Sequence, residues 1–164
     1  MKKIFLFLAV ASTTFFASCS NDDDRPDNDT FPESFDVNVD FLAADNYSVL
    51  VPLNPPIVNS DVVLVYRRTV KDGFAVWQQI PRTIYFDDGA EIDYDFNFDS
   101  QSVELTMTQE GADLSALPQY TLNQTFRIVL VPAFVAQNVD TDNIDAVMSA
   151  VHEYNNGGVP SIEK

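Results

Sequence analysis

From Phe35 onward the dominant period of the chain is two. Phe35, Val37, Val39 and Phe41 alternate with Asp36, Asn38 and Asp40, the pattern of a strand with one face on a core and one in water, because successive side chains of an extended chain point to opposite faces. Tyr47 to Val51 predicts a second strand, ended by Pro52, which has no N–H for a ladder, and Pro55-Pro56 makes the next connection irregular. Asp61 to Val70 contains Val62-Val63-Leu64-Val65-Tyr66, a continuous apolar run suited to a central strand covered on both faces. Asp72-Gly73 predicts a tight turn into Phe74 to Ile80, since Gly accepts the positive φ that a two-residue hairpin demands. Pro81 interrupts, Thr83 to Phe86 resumes in extended form, and Asp88-Gly89 predicts a second hairpin turn into Glu91 to Phe98. In that strand Ile92, Tyr94, Phe96 and Phe98 alternate with Asp93, Asp95, Asn97 and Asp99. Asp99-Ser100 turns into a strand carrying Val103, Leu105 and Met107. Gly111 to Pro118 is a connection with one helical turn, and Phe126 to Val131, stopped by Pro132, is a further buried strand.

Helical spacing occurs once. Ile144, Val147, Met148 and Val151 fall at i, i+3, i+4 and i+7, with Asp142 placed as N-cap, Asp145 three residues on and Asn156-Gly157 as a stop, which predicts a helix near 142–153. About eight strands at short spacing and one C-terminal helix predict a mainly β fold, an antiparallel β-sandwich of immunoglobulin-like or related type. The roughly 130 residues from Phe35 to Lys164 suit a single domain, with a loose tail after Gly158.

The first residues follow a different logic. Lys2 and Lys3 form a positive start, Ile4 to Phe16 an apolar stretch too short to span a bilayer as a helix, and Ala17-Ser18 the small residues a signal peptidase requires, so residues 1–18 read as a cleaved signal peptide. Phe16-Ala17-Ser18-Cys19 resembles the lipobox of bacterial lipoproteins, with Phe16 at a position where the family usually carries Leu. The resemblance implies that Cys19 is diacylated on sulfur, becomes the new N-terminus and is acylated again on nitrogen, with palmitate-type chains. Two or three such chains, at about 0.8 kcal/mol per buried CH₂, hold a protein far more firmly than one. The other reading is a plain secretory signal that leaves Cys19 as an odd thiol.

Ser20-Asn21-Asp22-Asp23-Asp24 follows directly and resembles the export signal of surface lipoproteins of the Bacteroidetes, while Ser20 lacks the Asp that favours inner-membrane retention in enterobacterial lipoproteins. The resemblance implies the outer membrane and its external face; the plainer reading is a solvated tether. Ser20 to Ser34 holds too little apolar surface to offset its chain entropy, so residues 19–34 are expected to be a disordered acidic tether, reaching about 50 Å when extended.

With 25 acidic and 9 basic residues the formal net charge is −16, more negative still once Lys2 and Lys3 are removed. That charge repels phosphate backbones and excludes nucleic acid as a partner. Cys19 is the single Cys and His152 the single His, so disulfides, thiolate metal sites, His-rich metal centres and the usual nucleophile–base pairs are absent. No Gly-rich phosphate loop or dinucleotide fingerprint occurs, and neither a cofactor nor a metal is expected.

The remaining chemistry has plain competitors. His152 near the end of the predicted helix gains from the helix dipole when protonated. Asp93, Asp95 and Asp99 form either an acidic row or a solvated sheet face. Asp140, Asp142 and Asp145 with Asn143 start like a calcium loop, but the sixth place is Asp145 rather than Gly and the twelfth is Val151 rather than Glu, which leaves helix capping. Val76-Trp77-Gln78-Gln79 is similar to strand C of immunoglobulin domains with its core Trp, a likeness of fold over a few residues that lacks the paired cysteines. If Trp77 is exposed, Tyr66 and Tyr85 on adjacent strands would join it as a stacking platform for sugar rings. The reading reached is a lipid-anchored, non-enzymatic binding or accessory module with a protein or glycan partner. Its alternatives are a glycan-active enzyme using paired carboxylates and a structural envelope protein without ligand.

Overall fold

The computed structural model describes residues 32–156. The signal segment, Cys19, most of the polar stretch and the tail after Gly158 lie outside the described residues. Eight strands, β1 (Glu33–Val39), β2 (Ser48–Pro52), β3 (Asp61–Lys71), β4 (Phe74–Gln79), β5 (Arg82–Tyr85), β6 (Glu91–Phe98), β7 (Ser102–Glu110) and β8 (Gln124–Pro132), form two antiparallel sheets, β1-β8-β3-β4 and β2-β7-β6-β5. Three helices, α1 (Pro118–Thr121), α2 (Ala133–Ala136) and α3 (Ile144–Asn155), complete the fold. The expected β-sandwich with a short C-terminal helix is what forms. Its strand order belongs to a related sandwich: β1 pairs with the last strand and β2 with β7, whereas in the immunoglobulin arrangement the first two strands share a sheet.

The period-two pattern builds the space between the sheets. Val63 and Val65 of β3, Phe126, Ile128 and Leu130 of β8, Ile92 and Tyr94 of β6, and Val103, Leu105 and Met107 of β7 are buried there. The rings of Phe41, Tyr94 and Phe126 meet edge-on, with centroids 5.9–6.0 Å apart, the arrangement that sets a ring's positive edge against a negative face. Each fully buried side chain of this size contributes about 1.5–3 kcal/mol.

β3 and β8 are apolar on both faces because each supports two cores. Their other face, Leu64, Tyr66, Val129 and Val131, is covered by Val135 of α2 and by Val147 and Val151 of α3. Asp72 and Gly73 both take positive φ, 53° and 82°, as the predicted two-residue turn requires.

Several expectations are corrected. β1 starts at Glu33, inside the expected tether, because Glu33 and Ser34 pair with Leu130 and Val129 through backbone that is indifferent to side-chain polarity. The N-cap of α3 is Asn143, whose side chain accepts from the N–H groups of Asp145 and Ala146, rather than Asp142. The second Asp-Gly is part of a longer loop closed by Phe86 and Ala90 (N···O 2.9 Å), with positive φ at Gly89 alone. Phe98 is exposed on the stretch of β6 beyond Tyr94, where the β5 ladder has ended and β6 is left as the sheet edge, and it stacks on Phe96 at 6.3 Å.

Candidate functional site

α2 and α3 cover only part of the outer face of the first sheet. Beyond Tyr66 that face is left to polar and aromatic side chains, and the ladder registers state which ones share it. Asp36 stands opposite Arg127, Arg127 opposite Tyr66, Tyr66 opposite Gln79, and Arg68 opposite Trp77. Directly opposed residues of an antiparallel pair project from the same side with Cβ atoms about 5 Å apart.

Arg127 organises this face. Its Nε donates to Asp36 Oδ1 at 2.7 Å and its Nη2 to Asp36 Oδ2 at 3.0 Å, a forked pair, and its guanidinium lies 4.4 Å from the centroid of the Trp77 ring. The bond to Asp36 holds the guanidinium pKa above its ordinary value, although partial burial opposes this. Trp77, itself half-buried, is thereby fixed by a side chain that is in turn fixed by β1.

Tyr66 is 1% exposed and its hydroxyl donates to the Thr141 carbonyl at 2.6 Å. Burial pushes its phenol up to about 12, and the charges of Asp142 and Asp140 add to the shift. The Gln79 amide nitrogen, in the orientation that satisfies both ends of the group, donates to the same carbonyl at 3.1 Å and to Asp142 Oδ1 at 2.7 Å. Two strand side chains thus pin the 140–142 loop against the sheet. Between that loop and the β4 edge lies a groove of about 610 Å³, lined by Trp77, Gln78, Gln79, Arg82, Thr141 and Asp142 together with Ile80 and Pro81.

The expected aromatic trio does not assemble. Tyr66 is committed to the second core, and Tyr85, 74% exposed, stands on β5 in the opposite sheet. The reason is Pro81, where the chain leaves one sheet for the other: β4 and β5, neighbours in sequence, are not neighbours in a ladder. Of the three, Trp77 alone faces the groove.

The carboxylate candidates are separated into local duties. Asp93 accepts the Thr83 hydroxyl, Asp95 accepts from the N–H of Phe96 at 2.7 Å, and Asp99 closes its turn by accepting from the N–H groups of Gln101 and Ser102. Those bonds hold the Asp99 carboxyl below its ordinary pKa, and the hydroxyl and N–H of Ser115 do the same for Asp113. Both shifts run opposite to the raised carboxyl that a general acid needs. Asp140 accepts from the N–H of Asp142 at 3.2 Å and Asn143 caps α3, so the acidic run around residue 142 shapes a loop and a helix start. Among the described residues no group of three or more His, Asp or Glu is placed to hold a metal ion. His152 is exposed on the last turn of α3, with Nε2 3.1 Å from Asn156 Nδ2.

Sequence reasoning missed Asp36, Arg68, Arg82 and Arg127. The signal was scarcity: residues 32–156 hold five basic side chains, Arg67, Arg68, Lys71, Arg82 and Arg127, and three of them fall within five positions of one strand. Compared with known proteins, the chain matches no family model, no curated protein and no solved structure.

Proposed function

We propose that the chain is a lipid-anchored envelope lipoprotein of the outer membrane, displayed at the cell surface, whose sandwich is a non-catalytic binding or accessory module. The observation that carries the anchor is Phe16-Ala17-Ser18-Cys19 at the end of an apolar run too short to span a bilayer. Acylation there would hold the domain at the membrane, and the acidic stretch ahead of Glu33 would give it reach. The contact surface is the uncovered half of the first sheet's outer face, where Trp77, Arg68 and the adjoining groove lie beyond the helices.

The test is metabolic labelling of a bacterial host with an alkyne fatty acid. The natural chain should carry the label and partition into the detergent phase, and Cys19→Ala should lose the label and remain unprocessed. Normal maturation of Cys19→Ala with unchanged membrane association overturns the anchor. Protease shaving of intact cells should remove the domain if it faces outward.

A further inference from the structure

We propose that the groove beside Trp77 binds a carboxylate-bearing glycan, with the indole as its stacking platform and Arg68 as the group that reads the acid. The inference rests on the binding-module reading above and is independent of the anchor.

Charge placement is the first reason. In a chain with 25 acidic residues and 9 basic ones, exposed cations have every opportunity to pair. Yet among the described residues the only ion pair is that of Arg127 with Asp36. Arg68, Lys71 and Arg82 are exposed and have no carboxylate partner there. Arg68 registers with Trp77, Lys71 stands at the tip of the same β3–β4 hairpin, and Arg82 lines the groove. Arg68 beside the ring and Arg82 in the groove lining, both unpaired on a strongly acidic molecule, make a local site for an external anion.

Geometry is the second. Arg127 reaches the indole from β8, on the inward side of β4, whereas the groove lies where β4 forms the sheet edge. The ring is therefore held before a ligand arrives, which lowers the ordering cost of binding. A volume of about 610 Å³ falls within the range of small-ligand sites. The pinned 140–142 loop and Pro81 crowd the β4 edge on which an extended acidic peptide would have to pair, which favours a sugar over a peptide strand.

Chemistry is the third. A pyranose presents a C–H face that packs on an indole, a uronate carboxylate offers two coplanar oxygens that match a guanidinium fork, and ring hydroxyls find the amide of Gln78 and the carboxylate of Asp142 in the same groove. Trp77 is the single Trp of the chain, so its emission reports the site without a label.

The test titrates the full-length chain in detergent with tetragalacturonate, its methyl ester and poly-L-glutamate at physiological salt. Tetragalacturonate should give a saturable change in Trp emission, with the ester and poly-L-glutamate each at least about tenfold weaker, since a charge-assisted bond to the acid contributes that much or more. Arg68→Gln should weaken tetragalacturonate binding by about the same factor at an unchanged melting temperature; Arg82→Gln serves as the second variant if Arg68→Gln melts early. Unchanged emission up to millimolar tetragalacturonate, an ester that binds equally, poly-L-glutamate that binds as tightly, or an Arg variant that binds like the natural chain each overturns the proposal. A blank titration alongside intact fatty-acid labelling removes this ligand and leaves the anchor standing.

Discussion

Arg67 shows how much a single buried polar group commits its neighbours. It is 7% exposed, on the inner side of β3, and forms no ion pair with a carboxylate among the described residues. Its Nε and Nη2 donate to Gln124 Oε1 at 3.0 and 2.6 Å, and its guanidinium lies 4.3 Å from the centroid of the Tyr94 ring. Burial lowers its pKa, yet a guanidinium stays charged at neutral pH, so Gln124 is the acceptor that makes the position tolerable. Gln124→Leu should destabilise the fold by about 2–3 kcal/mol, the cost of leaving a buried charged donor unmet. Adding Arg67→Met should restore most of the loss, because the double change removes both ends of the interaction. Urea denaturation of the two variants checks this, and a single variant within about 0.5 kcal/mol of the natural chain would refute it. Asn143→Ala, which removes two cap bonds from α3, should cost about 1 kcal/mol by the same measurement.

At the scale of elements, the second core depends on α3 lying across β3 and β8. Val147 is fully buried there, and Val147→Ala should cost roughly 1.5–2.5 kcal/mol through lost burial and a residual cavity. The same variant should loosen the 140–142 loop, since α3, Tyr66 and Gln79 hold that loop from two sides. Faster amide exchange at Thr141 and Asp142, with β6 and β7 unaffected, is the expected result. The β3–β4 hairpin illustrates the opposite case: its tip extends past the β8 ladder, leaving Val70 72% and Phe74 74% exposed. Substitutions there should leave stability nearly unchanged.

At the scale of the whole molecule two collective effects follow. Self-repulsion at a net charge of −16 opposes compaction, so raising salt from low to physiological strength should raise the melting temperature by a few degrees. Tyr66 and Tyr94 both ionise at about 12, Tyr66 through burial reinforced by Asp142 and Asp140, Tyr94 through burial partly opposed by Arg67. Unfolded tyrosine ionises near 10, so the unfolded chain gives up these protons first. The stability tied to the neutral phenols is complete below pH 10 and is lost as pH rises from about 10 to 12. Phenolate absorbance should show Tyr66 and Tyr94 titrating late, and chemical denaturation across that interval should show the decline.

The strands were legible in the chain because a sheet with one buried face imposes a local period of two, and α3 because its apolar stripe repeats every three to four residues; both are short-range constraints that a linear sequence records. The continuous run in β3 even announced two covered faces. The pairing of strands was not legible, since β1 with β8 and β2 with β7 join segments far apart in sequence, and no local pattern specifies which partner a ladder takes. For the same reason Trp77, Tyr66 and Tyr85 were misjudged as one platform: closeness in the chain stood in for closeness in a sheet, and the crossing at Pro81 separates them. In the chain alone lie the acidic charge and the alternation that makes a sandwich, along with the residues from which an export signal is expected. Only the tertiary structure decided that Asp36, Arg127, Arg68 and Trp77, drawn from four strands, share one face, because register is a long-range outcome of packing two cores at once.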